Sequence, residues 1–327
     1  MEPSKPEIAY EFPGMLRIYK DGRVERLMGT DFVPASTDLK TGVMSKDIKI
    51  LSEFDLSARL FLPKLTKPNQ KLPLVIYFHG GGFCVGSPFT SRYNSYLNAI
   101  VAEANIVAVS VSYRLAPENP LPAAYEDARA ALQWIGSHCG NVSGPEAWLN
   151  EHVDFERVFL AGLSAGANIV HNLAIAAGEV NFGLKVGILG VVLEHPYFWG
   201  SNPIGSEAHL DLNMKALVDR LWPLVCPYSP DNDDPQVNPV AKGAPSLVGL
   251  GCKRVLVCVA EKDMLRDRGW LYYEALGRSG WKGSLEIKET EGEDHAFYLN
   301  DLESEKAKDL IKHLAAFYNN KDMPTLI

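Results

Sequence analysis

A serine flanked by glycines is the first residue of this chain whose setting could support covalent chemistry. Gly162-Leu-Ser164-Ala-Gly166 fits G-x-S-x-G and lies between a strand-like apolar run, 157–161, and a helical pattern, 165–177. Glycine two residues to either side lets a strand and a helix approach closely enough to expose the serine on a sharp turn. Ser164 is therefore a candidate nucleophile, and the alternative is a glycine-rich loop packed for structural reasons.

A second glycine cluster, His79-Gly-Gly-Gly-Phe83, follows another apolar run, 74–78. Three glycines at a strand end leave backbone N–H groups free to point at an oxygen that gains negative charge, as in an oxyanion hole. A tight turn and a phosphate-binding loop are the alternatives. The chain has no G-x-x-x-x-G-K-[ST] pattern and no lysine follows the glycines, which disfavours phosphate. We expect His79 to brace this loop rather than to act as a base.

A nucleophilic serine needs a base, and the base needs a carboxylate that orients it. Asp263 follows the apolar run 254–259, and His295 follows the extended segment 284–289. The chain order serine, acid, histidine is the one that hydrolases with a G-x-S-x-G turn use. The pattern therefore predicts Asp263 as the orienting acid and His295 as the base.

Other acids and histidines are weaker candidates. Glu261 and Asp267 are alternative acids, although Asp267 is expected on the helix that follows. Among eight histidines, His295 alone lies in a loop beyond the acid, because His313 falls within a helical pattern. The others, which show no metal-ligand spacing, are His138, His152, His171, His195 and His209. We therefore expect no metal site.

These residues need a scaffold that brings strand ends together, and the chain alternates between strand-like and helical patterns. The strand-like runs are 74–78, 106–111, 157–161, 188–193, 254–259 and 284–289, and the helical patterns are 121–138, 165–177, 266–279 and 303–319. Alternation at this spacing predicts an α/β fold with a mostly parallel central sheet and helices on both faces. Asp21-Gly22 predicts a hairpin over 14–28, and 56–62 is a further extended segment.

Two segments do not fit the alternation, about 1–45 and about 200–244. The second is rich in proline and aspartate around one expected helix. We expect both to form a cap over the carboxyl ends of the strands, where open α/β sheets bind ligands. No proline-, glycine- or serine-rich linker interrupts the alternation, so residues 1–327 are expected to form a single domain. Tyr197-Phe-Trp199 either lines the pocket or packs beneath the cap.

The composition is that of an ordinary globular protein, with 46% of 327 residues hydrophobic and 22% charged. A formal net charge of −8 disfavours nucleic acid and anionic membranes as partners. Five cysteines without a C-x-x-C pair favour a reduced, intracellular protein. Residues 1–12 lack the apolar core of a signal peptide, and no apolar run approaches the roughly 18 residues of a membrane span. We therefore expect a cytoplasmic protein.

Longer motifs, spread over nearly the whole chain, carry a resemblance to a known family. They are Lys20-Asp-Gly-Arg-Val-Glu-Arg-Leu27, His79-Gly-Gly-Gly-Phe83, Ser112-Tyr-Arg-Leu-Ala-Pro-Glu118, Leu121-Pro-Ala-Ala-Tyr-Glu-Asp127, Gly162-Leu-Ser-Ala-Gly-Ala-Asn168, His195-Pro-Tyr-Phe-Trp199, Ala260-Glu-Lys-Asp263 and Glu293-Asp-His-Ala-Phe297. The chain resembles the plant carboxylesterases of the hormone-sensitive-lipase-like branch of α/β hydrolases. Within that branch it is most similar to 2-hydroxyisoflavanone dehydratase-like members.

The resemblance implies an α/β-hydrolase fold with a helical cap and no cofactor. It implies a catalytic triad of Ser164, His295 and Asp263, and an oxyanion hole formed by the N–H groups of Gly81, Gly82 and Ala165.

Three features of the sequence bear on which member of that family the chain resembles. Leu163 departs from the acidic residue that the family usually places before the nucleophile. The legume dehydratases carry threonine as nucleophile, whereas this chain has Ser164, which favours ester hydrolysis. The family's hormone receptors have lost the catalytic histidine, whereas His295 is present here.

The sequence thus predicts a serine carboxylesterase for a small, fairly apolar ester, for example an acetylated secondary metabolite. The alternative is a lyase or cyclase that uses the same pocket for elimination or ring closure. A more remote alternative is a hormone-receptor-like binding protein.

Overall fold

A sheet of eight strands forms the centre of the fold, and a separate sheet of three strands is built from the start of the chain. The computed structural model describes residues 7–140, 143–179 and 182–320. The strands are β1 (Ile8–Phe12), β2 (Leu16–Tyr19), β3 (Val24–Arg26), β4 (Met44–Leu51), β5 (Leu56–Leu62), β6 (Leu72–Phe78), β7 (Val107–Ser112), β8 (Val153–Leu163), β9 (Gly190–Glu194), β10 (Arg254–Ala260) and β11 (Ser284–Thr290).

The large sheet has the order β11-β10-β9-β8-β6-β7-β5-β4. The pairs β11-β10, β10-β9, β9-β8, β8-β6 and β6-β7 are parallel. Strand β5 pairs antiparallel with both β7 and β4. Every residue of β6 and β10 is buried, because helices cover a parallel sheet on both faces. At the end of β8, Leu163 is the register partner of Glu194 at the end of β9. The predicted mostly parallel sheet with an antiparallel start is confirmed.

Helices lie on both faces of this sheet. They are α1 (Ser91–Ala104), α2 (Ala123–Gly136), α3 (Ala147–His152), α4 (Ala165–Ala177), α5 (Leu212–Asp219), α6 (Leu221–Val225), α7 (Arg266–Arg278) and α8 (Glu305–Asn319). Leu97 of α1 and Leu314 of α8 belong to one buried cluster, while Leu132 of α2, Ile169 of α4 and Leu276 of α7 belong to the other. No helix in the described ranges has the length and apolar composition needed to cross a membrane.

The structure corrects the prediction in two respects. Four elements, β1, β4, α1 and α3, were not predicted from the sequence patterns. The single helix expected within 200–244 is two helices, α5 and α6, which meet at Arg220. The break has a physical cause: Pro223 has no N–H and would disrupt the interior of a continuous helix, but it is tolerated in the first turn of a helix that begins at Leu221.

Ion pairs attach two segments, about 1–45 and about 200–244, to the body of the fold. These are the segments that did not fit the alternation of strands and helices. Arg26 of β3 donates two hydrogen bonds to Glu118, at 2.8 and 2.7 Å, and a third to the carbonyl of Cys84 at 2.7 Å. Arg268 of α7 donates to both carboxylate oxygens of Glu207, at 2.7 and 2.8 Å. Residues 1–6 of the first segment lie outside the described residues. Both segments are therefore fixed to the body of the fold by charged contacts.

Glu207→Ala is expected to destabilise the protein by about 3–5 kcal/mol, because it leaves the Arg268 guanidinium buried without its partner. The side chains of Arg268 and Glu207 are only 4% and 0% exposed. Urea denaturation followed by circular dichroism measures the loss. The matched control is Glu126→Ala, since Glu126 pairs with Arg114 but is 64% exposed, and it should cost less than about 1 kcal/mol. Equal losses in the two variants would contradict this account.

Candidate active site

Ser164 lies on a strained turn between β8 and α4. Its backbone angles are φ 56° and ψ −114°, values that a residue with a side chain rarely adopts. A Cβ on Gly162 would lie 2.4 Å from the carbonyl carbon of Gly166, and one on Gly166 would lie 1.9 Å from the carbonyl oxygen of Phe78. The Ser164 N–H donates to the carbonyl of Glu194 at 2.8 Å. The turn therefore requires glycine at both predicted positions.

The glycine loop after β6 leaves free backbone donors at the same end of the sheet. Within the described residues, the N–H groups of Gly81, Gly82 and Ala165 have no hydrogen-bond acceptor. Gly81 has φ +121°, and a Cβ there would lie 2.1 Å from the carbonyl oxygen of Val85, so only glycine fits. Ala165 begins α4, where helical N–H groups are unpaired and the helix dipole favours negative charge. These donors could stabilise an oxyanion.

His79 holds this loop from beneath. Its ring is buried and stacks on Tyr113 at 4.3 Å between centroids, and the Tyr113 hydroxyl donates to the His79 carbonyl at 2.7 Å. The neighbouring Gly80 N–H donates to the Tyr93 hydroxyl at 2.8 Å. Burial lowers the pKa of His79 to about 4, so the ring is neutral near pH 7. His79 braces the loop, in agreement with the prediction.

Asp263 and His295 are joined by a hydrogen bond. Asp263 follows β10 and His295 follows β11, and the two atoms, His295 Nδ1 and Asp263 Oδ2, are 2.7 Å apart. Burial lowers the pKa of His295, but the charge and hydrogen bond of Asp263 outweigh this and raise it above 6.5. Burial raises the pKa of Asp263, but the neighbouring histidines outweigh this and hold it well below its usual range. Asp263 is therefore ionised and fixes the orientation of His295.

The alternative acids have other partners. Glu261 accepts the N–H of Gly292 at 2.6 Å. Asp267 lies on α7, as expected, and accepts the N–H and hydroxyl of Ser206 at 2.6 and 2.7 Å. Neither contacts His295, so Asp263 is the acid that the structure brings to this histidine.

His195 is a residue of this site that sequence reasoning missed. It follows β9, and its Nδ1 lies 3.3 Å from Asp263 Oδ2. Burial lowers the pKa of His195, and the neutral ring accepts the N–H of Ala296 at 3.2 Å. Its position at the carboxyl end of a central strand could have identified it, because ligand sites of parallel sheets lie at that edge.

The cluster of His195, Asp263 and His295 places ligand atoms within 4.8 Å of one another, which a metal ion could in principle use. The 2.7 Å separation of His295 Nδ1 and Asp263 Oδ2 is a hydrogen-bond distance. Ligands of a tetrahedral zinc ion would lie about 3.3 Å apart. The geometry therefore fits a hydrogen-bonded acid–histidine pair, and the absence of a metal stays a prediction.

Ser164, Asp263 and His295 all line one cavity of about 430 Å³. Its wall is largely apolar, and the side chains that the first and second segments contribute include Phe12, Met15, Met28, Met214, Leu217, Val218 and Leu221. Tyr197 lines the cavity, whereas Phe198 and Trp199 are buried in the core, so each interpretation of this aromatic run holds for part of it. An apolar pocket with a few polar groups is typical of a small-molecule site.

Comparison with known proteins identifies the family. Residues 75–299 match the family described as alpha/beta hydrolase fold. The chain belongs to the α/β-hydrolase family. This α/β hydrolase is 47% identical over 316 residues to a 2-hydroxyisoflavanone dehydratase of Glycyrrhiza echinata, covering 95% of this chain and 96% of that protein. It is 46% identical over 319 residues to probable carboxylesterase 2 of Arabidopsis thaliana, covering 98% and 99%.

A solved structure supports the same family assignment. This α/β hydrolase superposes on a hyperthermophilic esterase from the archaeon Pyrobaculum calidifontis with a TM-score of 0.68. The two chains are 28% identical, and the match covers 84% of each. The resemblance to plant carboxylesterases and 2-hydroxyisoflavanone dehydratases is therefore confirmed, as is the α/β-hydrolase fold.

The pKa of the His295 imidazole is expected to lie above 6.5, because the Asp263 carboxylate stabilises the imidazolium. Heteronuclear NMR of selectively labelled histidine measures it. Asp263→Asn removes the charge, so the pKa of His295 should fall below the value in the unmodified protein. An unchanged pKa in Asp263→Asn would show that Asp263 does not control this ring.

Proposed function

We propose that this α/β hydrolase is a serine carboxylesterase that hydrolyses a small, fairly apolar carboxylic ester through an acyl-enzyme. The observation that carries the proposal is the convergence of three features on one apolar cavity. These are a serine on a strained turn, a histidine hydrogen-bonded to a buried aspartate, and backbone donors without acceptors. This combination supports nucleophilic acyl transfer.

In the proposed reaction, the Ser164 hydroxyl attacks the ester carbonyl while Nε2 of His295 takes its proton. Asp263 holds the Nδ1–H of His295, which fixes the tautomer and stabilises the imidazolium. The N–H groups of Gly81, Gly82 and Ala165 stabilise the negative oxygen of the tetrahedral intermediate. His295 then protonates the leaving alcohol, and a water activated by the same histidine releases the acid and restores Ser164.

We also propose that residues 1–327 form a single domain in which about 1–45 and about 200–244 act as the cap. Met15 and Met28 of the first segment and Leu217 and Leu221 of the second line the cavity that holds Ser164. The pairing of Arg268 with Glu207 supports this role, because it attaches the second segment to a helix next to Asp263. The cap side chains would then determine which acyl and alcohol groups fit.

A lyase or cyclase is the second candidate function. The similarity to a 2-hydroxyisoflavanone dehydratase favours it, and elimination would need His295 as a base without an acyl-enzyme. The serine at 164 and the unpaired donors around it favour hydrolysis. A hormone-receptor-like binding role is disfavoured by the His295–Asp263 pair.

We also propose a class of binding partner and a cellular location for this protein. The expected partner is a small-molecule ester, and the negative charge of −8 argues against nucleic acid. A cytoplasmic location is supported by Cys84, Cys226, Cys252 and Cys258, which are buried and unpaired as in a reducing compartment. A fluorescent fusion at either end of the chain, imaged in plant cells, tests the location.

Ser164→Ala is expected to abolish hydrolysis of p-nitrophenyl acetate, with a loss of kcat of at least about 10³-fold, because no nucleophile remains. The melting temperature should stay close to that of the unmodified protein. Ser137→Ala, at an exposed serine beyond α2, is the matched control and should leave turnover intact. Retained turnover in Ser164→Ala would refute the acyl-enzyme. A second measurement, product analysis with hydroxylated substrates, distinguishes hydrolysis from elimination.

Leu221→Ala is expected to shift preference toward longer acyl chains, because Leu221 lines the cavity and lies 3.2 Å from where a Cβ on Gly82 would be. One extra methylene in an apolar pocket is worth about 1–3 kcal/mol. The ratio of kcat/KM for p-nitrophenyl butyrate to that for the acetate should therefore rise about fivefold or more. Leu212→Ala, at an 82% exposed position of α5 outside the cavity, should leave the ratio unchanged. An unaltered ratio in Leu221→Ala would mean that Leu221 does not limit the acyl group.

A further inference from the structure

Glu194 is a buried carboxylic acid that the proposed reaction does not use. It ends β9, its exposure is 0%, and it is the register partner of Leu163, which precedes the nucleophile. Its carbonyl accepts the N–H of Ser164 at 2.8 Å. The backbone of Glu194 therefore fixes the nucleophile turn directly, and its side chain is available for another contact.

That side chain accepts two hydrogen bonds from tyrosines. The Tyr96 hydroxyl of α1 donates to Oε1 at 2.9 Å, and the Tyr298 hydroxyl donates to Oε2. Both tyrosines are buried, and their rings pack with centroids 4.9 Å apart. Tyr298 lies three residues beyond His295, in the short 3₁₀ turn Phe297–Leu299. One carboxyl group thus links the backbone that holds Ser164 to the turn that carries His295.

The His295 turn needs such an anchor. The His295 side chain is 33% exposed, and the next residue, Ala296, has φ 55°, a left-handed conformation that a non-glycine residue adopts at a cost. Two contacts tie the downstream side of the turn to the end of β9. Ala296 N–H donates to His195, and the Tyr298 hydroxyl donates to Glu194. The last residue of β9, Glu194, and the residue that follows it, His195, therefore hold the turn in place.

We propose that Glu194 is a positioning residue for His295, which acts through Tyr298 to hold the imidazole in reach of the Ser164 hydroxyl. The proposal rests on the proposed function, because it assigns Glu194 a part in the same proton transfer. Misplacing a catalytic group by about 1 Å can cost about 10²-fold in rate. Loss of the Tyr298 contact should therefore reduce kcat more than KM.

The charge state of Glu194 changes near neutral pH. Burial raises its pKa to about 7, although the hydrogen bonds from Tyr298 and Tyr96 lower it. The other groups that face it are Tyr77 on β6, Tyr93 on α1, Cys258 on β10 and Tyr318 on α8. Burial raises the pKa of all four, so they stay neutral when Glu194 titrates. The folded pKa lies above the unfolded value of 4.5. The stabilisation that protonated Glu194 gives the folded protein is therefore complete below pH 4.5 and is lost as the pH rises to about 7.

Two tyrosine variants provide the test, since each removes one buried hydroxyl from the same carboxyl group. Tyr298→Phe breaks the link to the His295 turn. Tyr96→Phe breaks a link to α1, a helix that contacts the glycine loop through Tyr93, and leaves the hydrogen bond between Glu194 and the His295 turn in place. Both should lower the melting temperature by similar amounts. Tyr298→Phe should lower kcat for p-nitrophenyl acetate about tenfold or more with KM within about twofold, whereas Tyr96→Phe should keep kcat within about threefold. Equal falls in kcat, or none, would overturn the proposal.

Substitutions at Glu194 itself add an independent check. Glu194→Gln keeps the shape and can still hydrogen-bond with Tyr298, so it should retain most of kcat, whereas Glu194→Leu should match Tyr298→Phe. The glutamine side chain does not ionise. The melting temperature of Glu194→Gln minus that of the unmodified protein should therefore be larger at pH 8 than at pH 5. A glutamine variant as slow as the leucine variant would contradict the positioning role.

A spectroscopic measurement keeps this proposal separate from the esterase assignment. The downfield NMR resonance of the His295 Nδ1 proton, which is shared with Asp263, reports the geometry of the imidazole without turnover. It should shift or broaden in Tyr298→Phe and stay in place in Tyr96→Phe. If the unmodified protein and Ser164→Ala hydrolyse esters equally, the proposed function fails and the resonance alone decides the role of Glu194. A resonance unaffected by Tyr298→Phe would refute that role.

Discussion

The contact between Gly166 and the end of β6 is the constraint on which the site depends. The backbone of Gly166 lies so close to Phe78 that a methyl group would meet its carbonyl oxygen at 1.9 Å and that of His79 at 2.7 Å. This contact places the start of α4 against the first residues of the glycine loop. The serine and the free N–H groups of Gly81 and Gly82 therefore come together because two neighbouring parallel strands end side by side. The acid and histidine then approach from the ends of β10 and β11, which lie beyond β9 in the same sheet.

Much of this arrangement could be predicted from the sequence. Ser164, Asp263 and His295 each follow an apolar run, and parallel strands present their carboxyl ends at one edge, so their convergence follows from chain order. The helix α1 could also have been found, since Tyr93, Tyr96, Leu97 and Ile100 have helical spacing. The edge strand β4 is harder to recognise, because four of the eight residues of Met44–Leu51 are polar and only Ile50 is buried.

Glu194 and His195 show what the sequence does not reveal. A glutamate after an apolar strand is expected to face solvent, since isolated carboxylates are rarely buried. Its burial depends on two tyrosine hydroxyls that lie 98 and 104 residues away along the chain. The resemblance implied an acidic residue at position 163, where this chain has leucine. The structure has a buried acid at Glu194, the register partner of that leucine on the next strand. The chain thus lacks the family's acidic residue at position 163 but has an acidic residue at the position paired with it on the neighbouring strand.

The distribution of these residues along the chain has a consequence for synthesis. The glycine loop begins at His79 and the turn that carries His295 ends near Tyr298. Most of the chain must therefore leave the ribosome before the candidate site residues can come together. Contacts so distant in sequence form late, because the entropy of ordering the intervening chain opposes them. A nascent or partly unfolded molecule therefore carries an ordinary serine with no base beside it. Activation of Ser164 in the proposed reaction thus requires the completed fold.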